Sequence, residues 1–334
     1  MLRISVALCT YNGANFIEEQ LRSILEQRMM PQQLVISDDG SRDDTLDRIA
    51  RVLASLPHQH PGRSVSINIL KNATPLGVVK NFEQALLACD GELVALCDQD
   101  DVWHPDRIEA AVAHFRRDDE VMLVHSDARL VDESGSPIGH SLFYALRITD
   151  AELAEVRQGD ELAVLLRRNL VTGATAMFRR AVVALAAPFP EPWVHDEWLA
   201  VIAASIGRGE IVMDELVDYR QHSANQIGVS RLGLLGRIGR VLEPRNGRNR
   251  HLAERAQVLV SRLDSLGDAV RPDARDRARE KLVHLRVRAR FSRMQLLRLL
   301  PVLKEVSTGR YARYSRGAGD ILRDLLQPAG NERR

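Results

Sequence analysis

The sequence predicts an α/β fold, a mostly parallel sheet covered by helices, followed by a helical extension of different character. Three observations carry that expectation. Five apolar runs of strand length alternate with four amphipathic helices in the first 125 residues, and such alternation builds a parallel sheet with right-handed crossovers. Polar or acidic turns close the first, second and fourth runs, at Asn12, at Asp38-Asp39 and at residues 98–101. The charge then reverses: residues 1–227 carry 21 Lys and Arg against 34 Asp and Glu, whereas residues 228–334 carry 25 against 11. Opposite balances predict different partners for the two parts.

The strands are expected at residues 4–9, 34–37, 65–70, 93–97 and 121–125, each a short run rich in β-favouring apolar side chains. Between them, Ile17, Leu21, Ile24 and Leu25 recur at helical spacing, as do Leu46, Ile49, Ala50 and Leu53. Phe82, Ala85 and Leu86 mark a third helix over residues 81–89, and Ile108, Val112 and Phe115 a fourth over 105–115 that opens on a proline. Residues 126–141 read as a hairpin about Asp132-Glu133-Ser134-Gly135, and residues 148–168 as a polar helix. A strand is expected over 171–178, an apolar helix over 199–206, short strands at 211–213 and 217–221, and a polar loop at 222–228. Beyond that lies Arg-rich, helical sequence with a break at residues 244–247. Over residues 282–303, Leu282, Leu285, Ala289, Leu296, Leu300 and Leu303 define an apolar face flanked by Arg286, Arg290, Arg293 and Arg298. Such a helix lies on an anionic membrane surface or packs on the catalytic domain with its arginines in water.

Composition excludes several classes. Three cysteines, Cys9, Cys89 and Cys97, are an odd number without CxxC spacing, which argues against a disulfide framework or zinc site and for a reducing, cytoplasmic setting. The N-terminus has no signal-peptide pattern, and no run approaches the ~18 apolar residues that span a bilayer. Neither GxGxxG nor GxxxxGK[ST] occurs, so no dinucleotide fingerprint or P-loop is present. The scarcity of aromatics in the basic part disfavours nucleic-acid binding.

The chemistry gathers at LVALCDQDDVW, residues 93–103. Asp98, Asp100 and Asp101 arrive together at a strand end and repel one another unless a counter-charge opposes them; Mg2+ or Mn2+ is the natural partner of such oxygen donors. In open α/β sheets ligands bind beyond the carboxyl ends of the strands, near a switch in strand order, which is where Asn12, Asp38-Asp39 and residues 98–101 are all expected.

Taken in order, ISVALCTYNG, LVISDDGSRDDT, GELVALCDQDDVWHPDRI, HDEW and YRQHSANQIG resemble the inverting family 2 glycosyltransferases of the GT-A fold, in particular the bacterial rhamnosyltransferase-like members that build surface polysaccharides. The resemblance covers about residues 3–228 and implies a GT-A domain over 1–228, a Rossmann-like mixed sheet flanked by helices, with 229–334 as a basic α-helical extension. It implies that Thr10, Tyr11 and Asn12 line the base and ribose, and that Asp38 or Asp39 bonds the base. A carboxylate suits the imide N–H of uracil or thymine, hence a UDP or dTDP donor. By the same resemblance DQDD is the DXD element: Asp98 meets the ribose side, Asp100 holds a divalent metal on the diphosphate, and Asp101 is its neighbour. HDEW occupies the place of the catalytic base, assigned to Asp196 with Glu197 second; His195 stands where many members carry an acid, and its effect on Asp196 is open. Arg220 and His222 would help neutralise the diphosphate. Trp103 and Trp198 are candidate apolar platforms for sugar faces or else core residues.

The expected activity is transfer of a sugar, L-rhamnose by resemblance, to a glycan or lipid-linked acceptor at the cytoplasmic face of the membrane. A nucleotidyltransferase or a non-catalytic sugar-nucleotide scaffold is the rival reading. The first of these needs a Gly-rich, cationic phosphate loop after the first strand, and TYNGAN is not one.

Overall fold

A computed structural model describes residues 2–59, 64–222 and 247–328. The chain divides into two compact units, Met1–Gly159 with Val171–Val229, and Asp160–Leu170 with Ser230–Arg334. Along the chain the elements are β1 (Ile4–Thr10), α1 (Ile17–Leu25), β2 (Gln33–Asp38), α2 (Thr45–Gln59), β3 (Ser66–Lys71), α3 (Val78–Leu87), β4 (Leu93–Cys97), β5 (Val102–Trp103), α4 (Arg107–Arg117) and β6 (Val121–Val131). There follow β7 (Pro137–Ser141), α5 (Leu142–Leu146), α6 (Asp150–Arg157), α7 (Glu161–Arg167), β8 (Ala176–Arg179), α8 (Arg180–Ala186), α9 (His195–Ile206) and β9 (Arg208–Arg220). Of these, α7 belongs to the second unit.

The sheet of the first unit runs β3-β2-β1-β4-β8-β6-β9-β5, with β7 added on β6. β1 pairs in parallel with β2 and β4, and β2 with β3. β8 is antiparallel to both its neighbours, so the sheet is mixed. Every residue of β1, β2 and β4 is buried, which is why these strands read as mostly apolar runs without polar alternation. The strand order reverses at β1, and the register pairs Thr10 with Asp38 and Leu8 with Cys97. The loops after β1, β2 and β4 therefore leave one edge of the sheet together. This is the mixed, helix-flanked architecture expected of the GT-A fold. All three cysteines are free and buried, and burial raises their pKa, so they are unreactive thiols.

Several boundaries differ from expectation. Ala50 faces solvent and Val52 takes its place beside Ile49 in the core. The single helix expected over 148–168 is two, α6 and α7, parted at Gly159 with φ +83°, a left-handed turn that ends the first helix. The strand expected from residue 171 begins only at Ala176, because Gly173–Thr175 forms a 3-10 turn. The two short strands at 211–213 and 217–221 are one, β9, held by β6 across shifts in register near Asp127. Residues 223–228 of the polar loop and 244–246 of the expected break lie outside the described residues.

The second unit contains α7 with α10 (Arg248–Ser265), α11 (Pro272–Ala289), α12 (Leu299–Ser307), α13 (Arg310–Tyr314) and α14 (Ala318–Leu326). Here the expected amphipathic helix over 282–303 is corrected. α11 stops at Ala289, and a 3-10 turn at Gln295–Arg298 leads into α12. Leu282 and Leu285 are core residues, whereas Leu296, Leu300 and Leu303 are exposed. Arg298, assigned to a solvated flank, is fully buried, and its guanidinium donates to the carbonyl oxygens of Ser292, Arg293, Asp324 and Gln327. Beside it Arg288 bonds Asp324 (Nε–Oδ2 2.5 Å), which also accepts from the Tyr311 hydroxyl at 2.8 Å and from the Asn249 amide at 3.0 Å. A satisfied polar network of this kind fixes where each helix ends.

Candidate active site

The first loop is shaped by its neighbours. Asn12 takes a left-handed φ of +49°, its N–H donates to Ser41 Oγ at 2.8 Å, and its side-chain oxygen accepts from the Arg42 N–H. Tyr11 is half-exposed, and its backbone is clamped on both sides by the Gln99 amide, which accepts from Tyr11 N–H at 2.8 Å and donates to Tyr11 O at 3.1 Å. A Cβ on Gly13 would stand 2.2 Å from the Gln99 oxygen, so the clamp requires glycine there. Gln99 is the middle of the DQD triplet, and its role had no sequence signal.

The two acids after β2 build loops. Asp38 accepts from the Thr10 hydroxyl at 2.8 Å and from Ser41 N–H and Oγ–H at 2.9 and 2.6 Å. Asp39 accepts from the Asn72 amide and from the N–H groups of Leu76 and Gly77. Both are buried, so what either offers a nucleotide base is a remaining lone pair.

The DQDD acids occupy three environments. Asp98 is pushed up to about 8 by burial and by the charges of Asp100 and Asp196, against the opposing pull of Arg107. Asp100 bonds His222 (Oδ2–Nε2 2.9 Å), and the imidazole stacks on Phe16. Asp101 is buried and accepts from the backbone N–H of Arg220 at 3.0 Å; burial, then Asp100 and Asp98, hold its pKa well above the usual carboxylate range. Asp101 thus ties the end of β9 to the acidic loop. Arg220 is buried as well, and its guanidinium donates to Asp100 O, Glu133 O and the Glu19 carboxylate. The structure gives it a bracing position under the loop.

Asp196 lies in the first turn of α9, an apolar helix with nine buried residues that anchors it firmly. One carboxylate oxygen accepts from Gly173 N–H at 3.0 Å and the other from Glu197 N–H at 2.7 Å. Glu197 is half-buried beside it. His195 is stacked face to face on Phe82 at 4.0 Å, and burial depresses its pKa to about 3. Neither ring nitrogen has a hydrogen-bond partner among the described residues. The imidazole is therefore neutral at physiological pH and brings no positive charge to Asp196. The buried Tyr219 hydroxyl is raised by desolvation and then by Asp101, Asp98, Asp100 and Asp196, so all four acids lie within electrostatic reach of it.

Against them, besides Arg220, stands a second buried cation that sequence reading missed. Arg107 donates to the carbonyls of Leu96 and Ala174 and lies 3.5 Å over the Trp103 ring. Desolvation lowers it only to about 10, so it stays charged. Trp103 and Trp198 are corrected: both are buried, Trp198 completely, with its indole N–H on Ala186 O, and neither presents a ring face to a sugar. Among the described residues, no three His, Cys, Asp or Glu side chains converge closely enough to hold a metal by themselves. Asp100 with His222, in a surplus of negative charge, fits a divalent cation completed by substrate oxygens and water.

Comparison with known proteins agrees with this geometry. Residues 5–183 match the family described as Glycosyl transferase family 2. An uncharacterized glycosyltransferase of Nostoc sp. is 28% identical over 229 residues, 67% of this chain and 66% of that protein. The dTDP-rhamnosyl transferase RfbG of Shigella flexneri is 38% identical over 109 residues, 31% of this chain and 35% of its own length. The chain thus spans less than two thirds of the curated relatives it matches. Among solved structures, S. aureus TarS in complex with UDP-GlcNAc superposes with a TM-score of 0.59 at 15% identity, over 97% of this chain and 90% of that one. The mannosyltransferase PcManGT of Pyrobaculum calidifontis, in complex with GDP-Man and Mn2+, gives 0.51 at 20% identity, over 97% and 85%. With a family match over more than half its length and the acid-lined switch point of a GT-A sheet, the chain belongs to glycosyl transferase family 2.

Proposed function

We propose that the chain transfers a sugar, with inversion, from a UDP- or dTDP-sugar to a hydroxyl of a glycan or lipid-linked acceptor in surface polysaccharide synthesis, with L-rhamnose as the sugar. The observation that carries this reading is the placement of Asp98 and Asp100 just beyond β4, beside the switch in strand order, with Asp196 within electrostatic reach of Asp98. The UDP-GlcNAc bound to TarS supports a nucleotide-sugar donor, and the dTDP-rhamnosyl activity named for RfbG supports the sugar.

In this mechanism Asp196 takes the proton of the acceptor hydroxyl as its oxygen bonds the anomeric carbon, and the bond to the diphosphate breaks on the opposite face. Gly173 N–H and Glu197 N–H aim the Asp196 carboxylate. Asp98 and the Thr10, Tyr11 and Asn12 loop receive the nucleoside. Asp100, with His222 beside it, would hold a divalent cation, Mg2+ or Mn2+, which when bound would supply positive charge to the diphosphate leaving group. The Mn2+ in the PcManGT complex supports this assignment. Arg220 and Asp101 keep the acidic loop in place. Peripheral attachment to the inner face of the cell membrane belongs to the same proposal; no helix among the described residues is long and apolar enough to cross a membrane.

The test is transfer from UDP- and dTDP-sugars with Mg2+ or Mn2+. Asp196→Asn is expected to lower kcat by at least ~100-fold with donor affinity kept, the scale of a lost general base, and Asp100→Ala to abolish metal-dependent donor binding. Turnover that survives both changes would remove the assigned roles, and nucleotide binding without any turnover would favour a scaffold.

A further inference from the structure

The segment that replaces the expected amphipathic helix leaves apolar side chains in water. Leu296 is 88% and Leu300 78% exposed, and Met294, Leu297, Leu299 and Leu303 are each more than half exposed. All six fall within ten residues, Met294 just before the 3-10 turn and the others on that turn and α12. Scattered surface leucines need no explanation, but a contiguous cluster of this size marks a docking surface. The cause lies beneath it: buried Arg298 and Val302 turn inward and push the remaining leucines out.

The charge around the cluster selects the partner. Residues 281–304 contain seven Lys and Arg and no Asp or Glu. Two of the seven, Arg288 and Arg298, are buried, but Arg290, Arg293 and Lys304 are exposed and form no ion pair among the described residues. A second copy of the chain would oppose these cations with their own counterparts. An anionic lipid surface offers phosphates to the cations and an acyl boundary to the leucines. α12 has nine residues, about 14 Å at 1.5 Å per residue, far too short to span a bilayer but suited to lie in its interface.

We propose that Met294, Leu296, Leu297, Leu299, Leu300 and Leu303 form a membrane-docking surface that inserts into the headgroup region of an anionic bilayer, with Arg290, Arg293 and Lys304 on the lipid phosphates. This gives the peripheral attachment of the proposed function its residues, and it stands on exposure and charge without reference to catalysis.

Flotation of the full chain with vesicles of phosphatidylethanolamine and phosphatidylglycerol tests it. The wild type is expected to float with these vesicles at low salt and to remain behind with pure phosphatidylcholine. The double variant Leu296→Ser, Leu300→Ser is expected to lose at least tenfold of the bound fraction, and Arg290→Glu, Arg293→Glu to lose the preference for anionic lipid, each with an unchanged circular dichroism spectrum. A wild type that fails to float, or a serine variant that floats equally well, overturns the proposal. So does a wild-type dimer in sedimentation that the serine variant dissolves, since the occupant is then a second copy. Donor turnover measured on the same preparations keeps the two readings apart: lost flotation with intact turnover removes the docking surface alone, and flotation without turnover removes only the transferase assignment.

Discussion

His195 makes the stability of the first unit sensitive to acid in a way that can be isolated. Its imidazole is buried against Phe82, and its pKa is depressed from 6.5 to about 3. Above pH 6.5 both the folded and the unfolded chain carry it neutral, so it contributes nothing to the pH dependence. As the pH falls below 6.5 the unfolded chain binds a proton that the folded chain refuses, and stability is lost progressively until the pH reaches the folded value near 3. At pH 5 the gap is one and a half pH units, about 2 kcal/mol at 1.36 kcal/mol per unit. For a unit of this size that corresponds to a fall of about 4–8 °C in Tm. His195→Gln, neutral at every pH, removes this term. Its constant effect on packing cancels when each protein is compared with itself at pH 8 and pH 5, and so do all other titrating groups. Urea denaturation at the two pH values is expected to show the wild type losing about 2 kcal/mol more than the variant on acidification. Equal losses would mean that His195 titrates normally and that water reaches its ring, and the argument that Asp196 has a neutral neighbour would fall with it.

Two further outcomes follow from the same site. A Cβ on Gly173 would stand 3.3 Å from His195 Nε2 and 3.4 Å from Asp196 Cβ, so Gly173→Ala is expected to displace Asp196, the proposed base, and lower kcat by about 10²-fold while donor KM stays constant in steady-state assays. Arg107→Met removes a buried cation that opposes Asp98 and Asp101 and takes its guanidinium from the Leu96 and Ala174 carbonyls; a buried group left unsatisfied costs about 1–3 kcal/mol, to be read from urea denaturation, and a loss below ~1 kcal/mol would show that water already reaches those carbonyls.

The sheet was legible because parallel, doubly covered strands leave a simple trace: β4 is apolar throughout and β1 and β2 are mostly so, and the helices between them repeat at 3.6 residues. What escaped was structure whose cause lies far away in the sequence. β9 reads as two strands because Met213, Asp214 and Glu215 are exposed, yet pairing with β6 carries it through. The helix expected over 282–303 contains no Gly, and its one proline, Pro301, lies beyond the actual break. That break is set by carbonyl groups converging on Arg298, a contact that no local periodicity can announce.

The site shows the same division. Which acids matter was readable from their arrival at strand ends, since like charges gathered at a sheet's switch point need a partner. How each is used was not. Asp38, Asp39, Asp101 and Arg220 read as ligand-binding groups in a linear motif; in the fold each is also buried and bonded to backbone and side-chain groups of neighbouring loops. Asp100 is held by His222, and Asp196 by the N–H groups of Gly173 and Glu197. With Arg107 the only cation among the causes that offset their charge on Asp98 and Asp101, the cluster stays short of positive charge by design of the fold. On the proposed function, a divalent cation bound with the donor diphosphate would make up that deficit, and the affinities for metal and nucleotide are then expected to rise and fall together.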